Sequence, residues 1–296
     1  MARTEEQSDR FAELDRWDDL TILTALVDGQ ANAIAAVRKA LPEIAAAAEA
    51  IAARLRKGGR LIYAGAGTSI RIAVQDGSEL PATFNMPVEK LVYLIAGGRN
   101  AMFEGAAEAE DDGPMAIREV EAAGCSDADA MIAVAASGTT PYTVAAAKRA
   151  RELGTLVVAV ANNPQSELAR HANHEIFLDT GSEVIAGSTR MGAGTAQKST
   201  LNLLSTLVHI RLGAIYGGMM VNVRAENAKL KKRARAIVAR IAKVDEDYAG
   251  AALDAAEGEV KPAVLICAGA RDLARADQLL NETHGNLRQA LEKLRG

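Results

Sequence analysis

The sequence predicts an α/β fold: a parallel sheet covered by helices on both faces, with a small helical appendage at its C-terminal end. Three observations predict it. Short apolar runs recur along the first two thirds of the chain, and helical stretches separate several of them. Nearly half of the 296 residues are apolar, yet only 3% are aromatic, so Ala, Val, Leu and Ile dominate and suit close-packed helices. After about Lys243 the composition shifts to short helical segments punctuated by Gly258, Pro262, Gly269 and Gly285.

Residues 31–57 are rich in Ala. Val37, Leu41, Ile44, Ile51 and Leu55 fall near helical spacing, and Gly58-Gly59 ends that helix. The apolar runs at Arg60–Ala64, Leu91–Ala96, Ala130–Ala136, Leu156–Ala161 and Glu175–Leu178 are the expected strands. Gly113–Ala123 and Pro141–Leu153 read as helices between them. Ala193–Leu212 and then Val221–Val244 are the most helical stretches. The tail reads as three short helices, with a strand at Val264–Ala268 as the alternative. The expected division is a main domain over residues 1–244 and a small helical domain over 245–296.

Composition narrows the partners. Net charge is −4, and the basic run Lys229–Arg235 reads as the solvated face of a helix, so no nucleic-acid partner is expected. No continuous apolar run approaches the ~20 residues of a membrane span. The start, "MARTEEQSDRFAELDRW", is polar and acidic, unlike a secretory signal. Cys125 and Cys267 are too few for a disulfide framework and lack metal spacing. His171 and His174 resemble a metal pair without a carboxylate partner, and read as a surface helix end. His209 reads as a core residue. The expectation is a cytoplasmic protein with no metal and no membrane partner.

Three hydroxyl-rich loops follow strands or precede helices, where open α/β sheets bind ligands. They are Gly65-Ala-Gly-Thr-Ser69, Ser137-Gly-Thr-Thr-Pro141 and Gly187-Ser-Thr-Arg190. Hydroxyls and helix N-terminal amides at such places donate to phosphate oxygens. The same hydroxyls are also ordinary helix caps, but three such loops together favour a sugar phosphate. The first loop opens like a dinucleotide fingerprint and departs from it at Ile70. A Walker A Gly-Lys-Ser/Thr is absent. Two carboxylates stand near these loops: Glu79 in "DGSELP" and Glu110 in "EAEDD". An acidic run by itself is more often a solvated face.

The segments "GAGTSIRIAVQDGSELPATF", "LIAGG", "EAEDD", "AASGTTPY", "NNPQSELA", "GSEVIAGSTRMGAGTAQKSTLNLLST" and "IRLGAIYGGMMVNV" occur in this order over about residues 5–245. The chain thereby resembles the N-acetylmuramic acid 6-phosphate etherase family, and its tail is similar to that family's tail. The resemblance implies a sugar-isomerase (SIS) domain. It implies a cytoplasmic homodimer that uses no cofactor and takes a small-molecule sugar phosphate, releasing D-lactate and N-acetylglucosamine 6-phosphate during cell-wall recycling. It places Glu79 and Glu110 as the catalytic pair. Thr68, Ser69, Ser137, Thr139, Thr140, Ser188, Thr189, Arg190 and Lys198 are its implied substrate-binding positions.

Two carboxylates suit the implied chemistry. Opening the sugar ring exposes an aldehyde that acidifies the adjacent C–H, and a base removes that proton. An acid protonates the departing lactate and then activates water. Glu79 takes the acid role and Glu110 the base role. The chain departs from the family where Ile70 replaces Gly, Thr139 replaces Arg, Gly192 replaces Lys, Leu80 replaces Cys and Ala82 replaces Pro. Two cations near the ligand are thus missing, while Arg71, Arg190 and Lys198 remain. The alternatives are an aldose–ketose isomerase, which needs no acid at an ether oxygen, and a non-catalytic sensor resembling the glucokinase regulatory protein.

Overall fold

The five apolar runs carry no alternation, and the structure shows why. In the computed structural model, which describes residues 3–223 and 228–296, they form one parallel sheet. Its strands are β1 (Leu61–Gly65), β2 (Leu91–Ile95), β3 (Ala130–Ala135), β4 (Leu156–Ala161) and β5 (His174–Phe177). The order is β2-β1-β3-β4-β5, with Gly65 level with Ile95 on one side and Val134 on the other. Every residue of β1, β3 and β4 is buried, so both faces of those strands are covered.

The chain divides by its internal contacts into two units. The first comprises residues 1–78 and 89–205, the second 79–88 and 206–296. The division expected at 244/245 falls inside the second unit. The α-helices up to residue 211 are α1 (Asp19–Lys39), α2 (Leu41–Arg56), α3 (Gly67–Phe84), α4 (Ala107–Glu110), α5 (Gly113–Ala122), α6 (Pro141–Glu152), α7 (Glu167–Arg170) and α8 (Gly192–Arg211). In the first unit, α5 and α6 bury Ala116, Val120, Tyr142 and Ala146 against Ile62, Met131, Ala133 and Val157 of the sheet. Asp76 on α3 accepts from Tyr63 Oη of β1 (2.9 Å) and from Ser205 Oγ of α8 (3.1 Å), so a buried polar knot fixes α3 to the sheet.

The helix expected over residues 31–57 is two helices, and the first begins well upstream. Asp18 caps α1 by accepting from the Leu20 and Thr21 amides. The break falls at Ala40, because Pro42 has no N–H to continue the ladder of α1 and instead fits the first turn of α2. Among the described residues, α1 is the one helix long and apolar enough by length and composition to cross a membrane. Its apolar residues are not continuous, because Thr21, Thr24, Asp28, Gln30 and Asn32 interrupt them.

In the second unit a short antiparallel pair, β6 (Ile215–Tyr216) and β7 (Met219–Met220), precedes α9 (Ala228–Ala242). The hairpin turns on Gly217-Gly218, and the sequence reading missed it. Of the helix expected over Val221–Val244, residues 221–223 are not helical and Ala228–Ala242 form α9; residues 224–227 lie outside the described residues. The basic run Lys229–Arg235 does lie on α9, with its lysines and arginines largely solvent-facing and Ala234, Ile237 and Val238 buried. The tail is four helices, not three: α10 (Glu246–Ala255), α11 (Val260–Cys267), α12 (Leu273–Glu282) and α13 (Leu287–Arg295). Val264, given as a strand alternative, sits within α11, where Ala263, Val264 and Leu265 are fully buried with α9 and α10. His209 is buried and stacks on the Phe84 ring at 4.4 Å, as expected of a core residue.

Candidate active site

Strand order alone points to one place for a ligand. The connection leaving β1 runs to β2 on one side and the connection leaving β3 runs to β4 on the other, so a crevice opens beyond the carboxyl ends of β1 and β3. A cavity of about 410 Å³ lies there, within the first unit. That volume suits a small metabolite.

The loop after β1 supplies Ala66, Gly67, Thr68 and Ser69, and α3 begins at Gly67. The first amides of a helix have no intrahelical partner, so this turn offers N–H groups as well as hydroxyls. The loop after β3 supplies Ala135, Ala136, Ser137 and Thr140. Ser137 Oγ also accepts the Thr139 amide at 3.2 Å, which closes a turn ahead of α6, while the N-cap of that helix, Thr140, makes no side-chain cap bond. The third loop supplies Thr189.

The third loop differs from the expectation in one respect. Its helix amides are not free for a ligand, because the buried Glu183 carboxylate takes the Gly192 and Ala193 amides of α8, both at 2.9 Å. That bidentate cap satisfies the helix end internally.

Glu110, the last residue of α4, also lines the cavity. Arg71, one turn into α3, lines it too. Its guanidinium donates to the carbonyls of Ala101 (2.8 and 3.1 Å) and Glu104 (3.0 Å), pinning the loop that leads into α4. Burial raises the Glu110 pKa above the ordinary carboxylate value; Asp111 adds to the rise and Arg71 opposes it. Of the acidic run, Asp112 caps α5 through the Met115 amide at 2.8 Å. The pattern fits a carboxyl poised to exchange a proton beside a cation and a set of hydroxyls.

The cavity thus gathers Thr68, Ser69, Glu110, Ser137, Thr140 and Thr189 of the sequence-derived positions. It does not include the others. Thr139 is exposed and lines a neighbouring groove with Lys148, Arg149 and His171. Ser188 is half-buried beside the cavity residue Thr189, and Arg190 and Lys198 are exposed. Glu79 is exposed on α3. Ten residues of helix separate it from Ser69, which carries it about 15 Å along the axis. The sequence reading missed Glu5 as a wall of this cavity, and it named Arg71 only as a remaining cation. Among the described residues no cluster of metal-binding side chains occurs.

Comparison with known proteins follows the same lines. The N-terminal SIS domain of the glucokinase regulatory protein matches residues 43–150, and the SIS domain matches residues 113–207. The N-acetylmuramic acid 6-phosphate etherase of Deinococcus radiodurans is 45% identical over 289 residues, spanning 98% of this chain and 95% of its own. That of Streptomyces coelicolor is 46% identical over 288 residues, spanning 97% and 93%. N-acetylmuramic acid 6-phosphate etherase 1 of Bacillus licheniformis is 36% identical, spanning 97% and 95%. Among solved structures, a phosphoheptose isomerase from Francisella tularensis superposes with a TM-score of 0.51 at 22% identity, over 66% of this chain and 98% of that one; the likeness is one of fold.

Proposed function

Because the chain belongs to the N-acetylmuramic acid 6-phosphate etherase family, we propose that it is a carbon–oxygen lyase acting on the D-lactyl ether of N-acetylmuramic acid 6-phosphate. The products are N-acetylglucosamine 6-phosphate and D-lactate. The observation that carries this reading is the meeting of a raised-pKa carboxyl, Glu110, with the hydroxyl loops in one cavity at the end of β1 and β3.

The loops of Thr68–Ser69 and Ser137–Thr140 take the phosphate by hydroxyl and amide donors. In the ring-opened sugar, Glu110 removes the proton beside the aldehyde. The freed electron pair forms a C=C bond as the ether C–O bond breaks, and the lactate oxygen takes a proton. Water then adds across the double bond. Proton transfers accompany both the C–O cleavage and the addition of water, and Glu79 is the acid at the lactyl oxygen. The family's shared name leaves the isomerase and sensor alternatives without comparable support.

A homodimer completes the reading. Glu79 is exposed and about 15 Å along α3 from Ser69, which supports its serving the cavity of a second copy. Helix α1 supports the same assembly. It buries Ala25, Ala33, Ala36 and Val37 on one face, yet Leu20 (73% exposed), Leu23, Val27 (64%) and Ile34 form an apolar stripe on the opposite face. An antiparallel second copy would set Asp18 and Asp19 of one helix near Arg38 and Lys39 of the other. Both cysteines are free thiols, which supports a cytoplasmic role in recycling cell wall.

Incubating the purified protein with N-acetylmuramic acid 6-phosphate and assaying D-lactate tests the proposal. Absence of lactate under conditions where the folded dimer is present sinks it.

A further inference from the structure

Residues 3–5 form a short 3-10 turn that is tied down through Arg3 and Thr4. The Arg3 amide donates to Asn163 Oδ1 at 2.7 Å, and the Arg3 guanidinium pairs with Asp179 at 2.7 Å. Thr4 is fully buried. Its Oγ1 accepts from Asn163 Nδ2 at 3.1 Å, and its carbonyl accepts the Gly187 amide at 3.2 Å. Asn163 Nδ2 also donates to the carbonyl of Ala136, a wall of the cavity, at 3.0 Å. Segments near chain ends are usually loose. This one is stitched across the carboxyl ends of the strands.

What the strap delivers to the cavity is the side chain of Glu5. The carboxylate lies against the bare face of Gly187. A Cβ on Gly187, whose φ is +74°, would stand 2.9 Å from Glu5 Oε2. The bare Gly187 lets the carboxylate of this exposed residue lie close against the third loop. An ionised carboxylate only accepts hydrogen bonds and repels phosphate and carboxylate groups. In a cavity otherwise furnished with anion donors, Glu5 marks the part that takes the uncharged, hydrogen-bond-donating portion of a ligand.

We propose that Glu5 is a specificity-determining residue that accepts hydrogen bonds from the hydroxyl or amide N–H groups of the sugar, while the loops hold its phosphate. The proposal rests on the sugar-phosphate reading of the cavity. It adds a third carboxylate to the substrate site with a binding role distinct from the proton transfers given to Glu79 and Glu110.

The test compares Glu5→Gln and Glu5→Ala with the wild type by calorimetry, using N-acetylglucosamine 6-phosphate and inorganic phosphate as probes. Loss of hydrogen bonds to a charged acceptor should weaken the sugar phosphate by about 10- to 100-fold. Inorganic phosphate should bind as well as before or more tightly. In the lactate assay, KM should rise while kcat is held. Unchanged affinity for the sugar phosphate in both variants overturns the proposal. So does a parallel loss of inorganic phosphate, which would make the strap a structural support only. If the wild type releases no lactate, the etherase reading fails, and the two affinities still decide the role of Glu5.

Discussion

Gly67 and Glu110 meet face to face: a Cβ on Gly67 would stand 2.9 Å from Glu110 Oε1. Gly67 also has a φ of +53°, where side chains are disfavoured. One residue thereby starts α3 and leaves the space that the candidate base occupies. Gly67→Ala should push the carboxylate aside. A misplacement of about 1 Å costs on the order of 100-fold in rate, whereas the backbone strain costs about 1 kcal/mol. Lactate release falling far more than thermal stability is the expected outcome. Normal turnover in a folded Gly67→Ala protein would show that Glu110 does not work from this position.

The environment of Glu110 fixes the sign of a pH effect. A base must be ionised, and burial holds this carboxyl above its ordinary value of 4.5. The acidic limb of kcat/KM should therefore lie above that value. Arg71 favours the ionised form and Asp111 opposes it. Arg71→Gln should shift the limb to higher pH, and Asp111→Asn should shift it to lower pH. A pair of profiles moving together, or neither moving, would remove Glu110 from the limb.

The two proposed catalytic glutamates can be separated by step and by subunit. Glu110→Gln should abolish both lactate release and deuterium uptake at the carbon beside the aldehyde. Glu79→Gln should lower lactate release by about 10²–10⁴-fold while exchange in heavy water persists. If Glu79 serves the cavity of a second copy, mixing the two inactive variants should restore activity. Random reassortment into symmetric dimers leaves one intact site in half of them, about a quarter of wild-type activity. Val27→Asp, placing a charge in the apolar stripe of α1, should prevent that recovery. Exchange surviving only in Glu110→Gln would reverse the two roles, and no recovery on mixing would return Glu79 to its own chain.

The fold was largely legible because parallel strands buried on both faces must be unbroken apolar runs, and β1, β3 and β4 are such runs. Helix ends were less legible. Pro42 splits what Ala-rich periodicity joins, and the tail's fourth helix hides between closely spaced glycines. In the site, Thr68, Ser69, Ser137 and Thr140 were readable because each follows a strand near a helix start. Glu5 was not, since its tether to Asn163 spans 160 residues and depends on a buried threonine in an otherwise polar stretch. Nor was the capping of α8 by Glu183, which no local motif announces.

Lys261 sets a pH dependence in the second unit that has nothing to do with catalysis. It lies on α11, 9% exposed, with its Nζ donating to the Gly285 carbonyl at 2.6 Å. Burial pulls its pKa from 10.5 down to about 8, and Glu259 only partly resists. Between those values the unfolded lysine keeps a proton that the folded one has released. Unfolding free energy should therefore rise with pH across this window, and not fall. The full rise corresponds to about 3 kcal/mol. Lys261→Met removes the titration and loses one hydrogen bond, about 1 kcal/mol, but also removes the penalty of burying a charge. Urea unfolding of both proteins from pH 7 to pH 10 reads the difference. The wild type should gain on Lys261→Met steadily as pH rises through 8. Two curves that stay parallel would mean that Lys261 keeps its proton in the folded chain and that its bond to Gly285 is that of an ordinary ammonium.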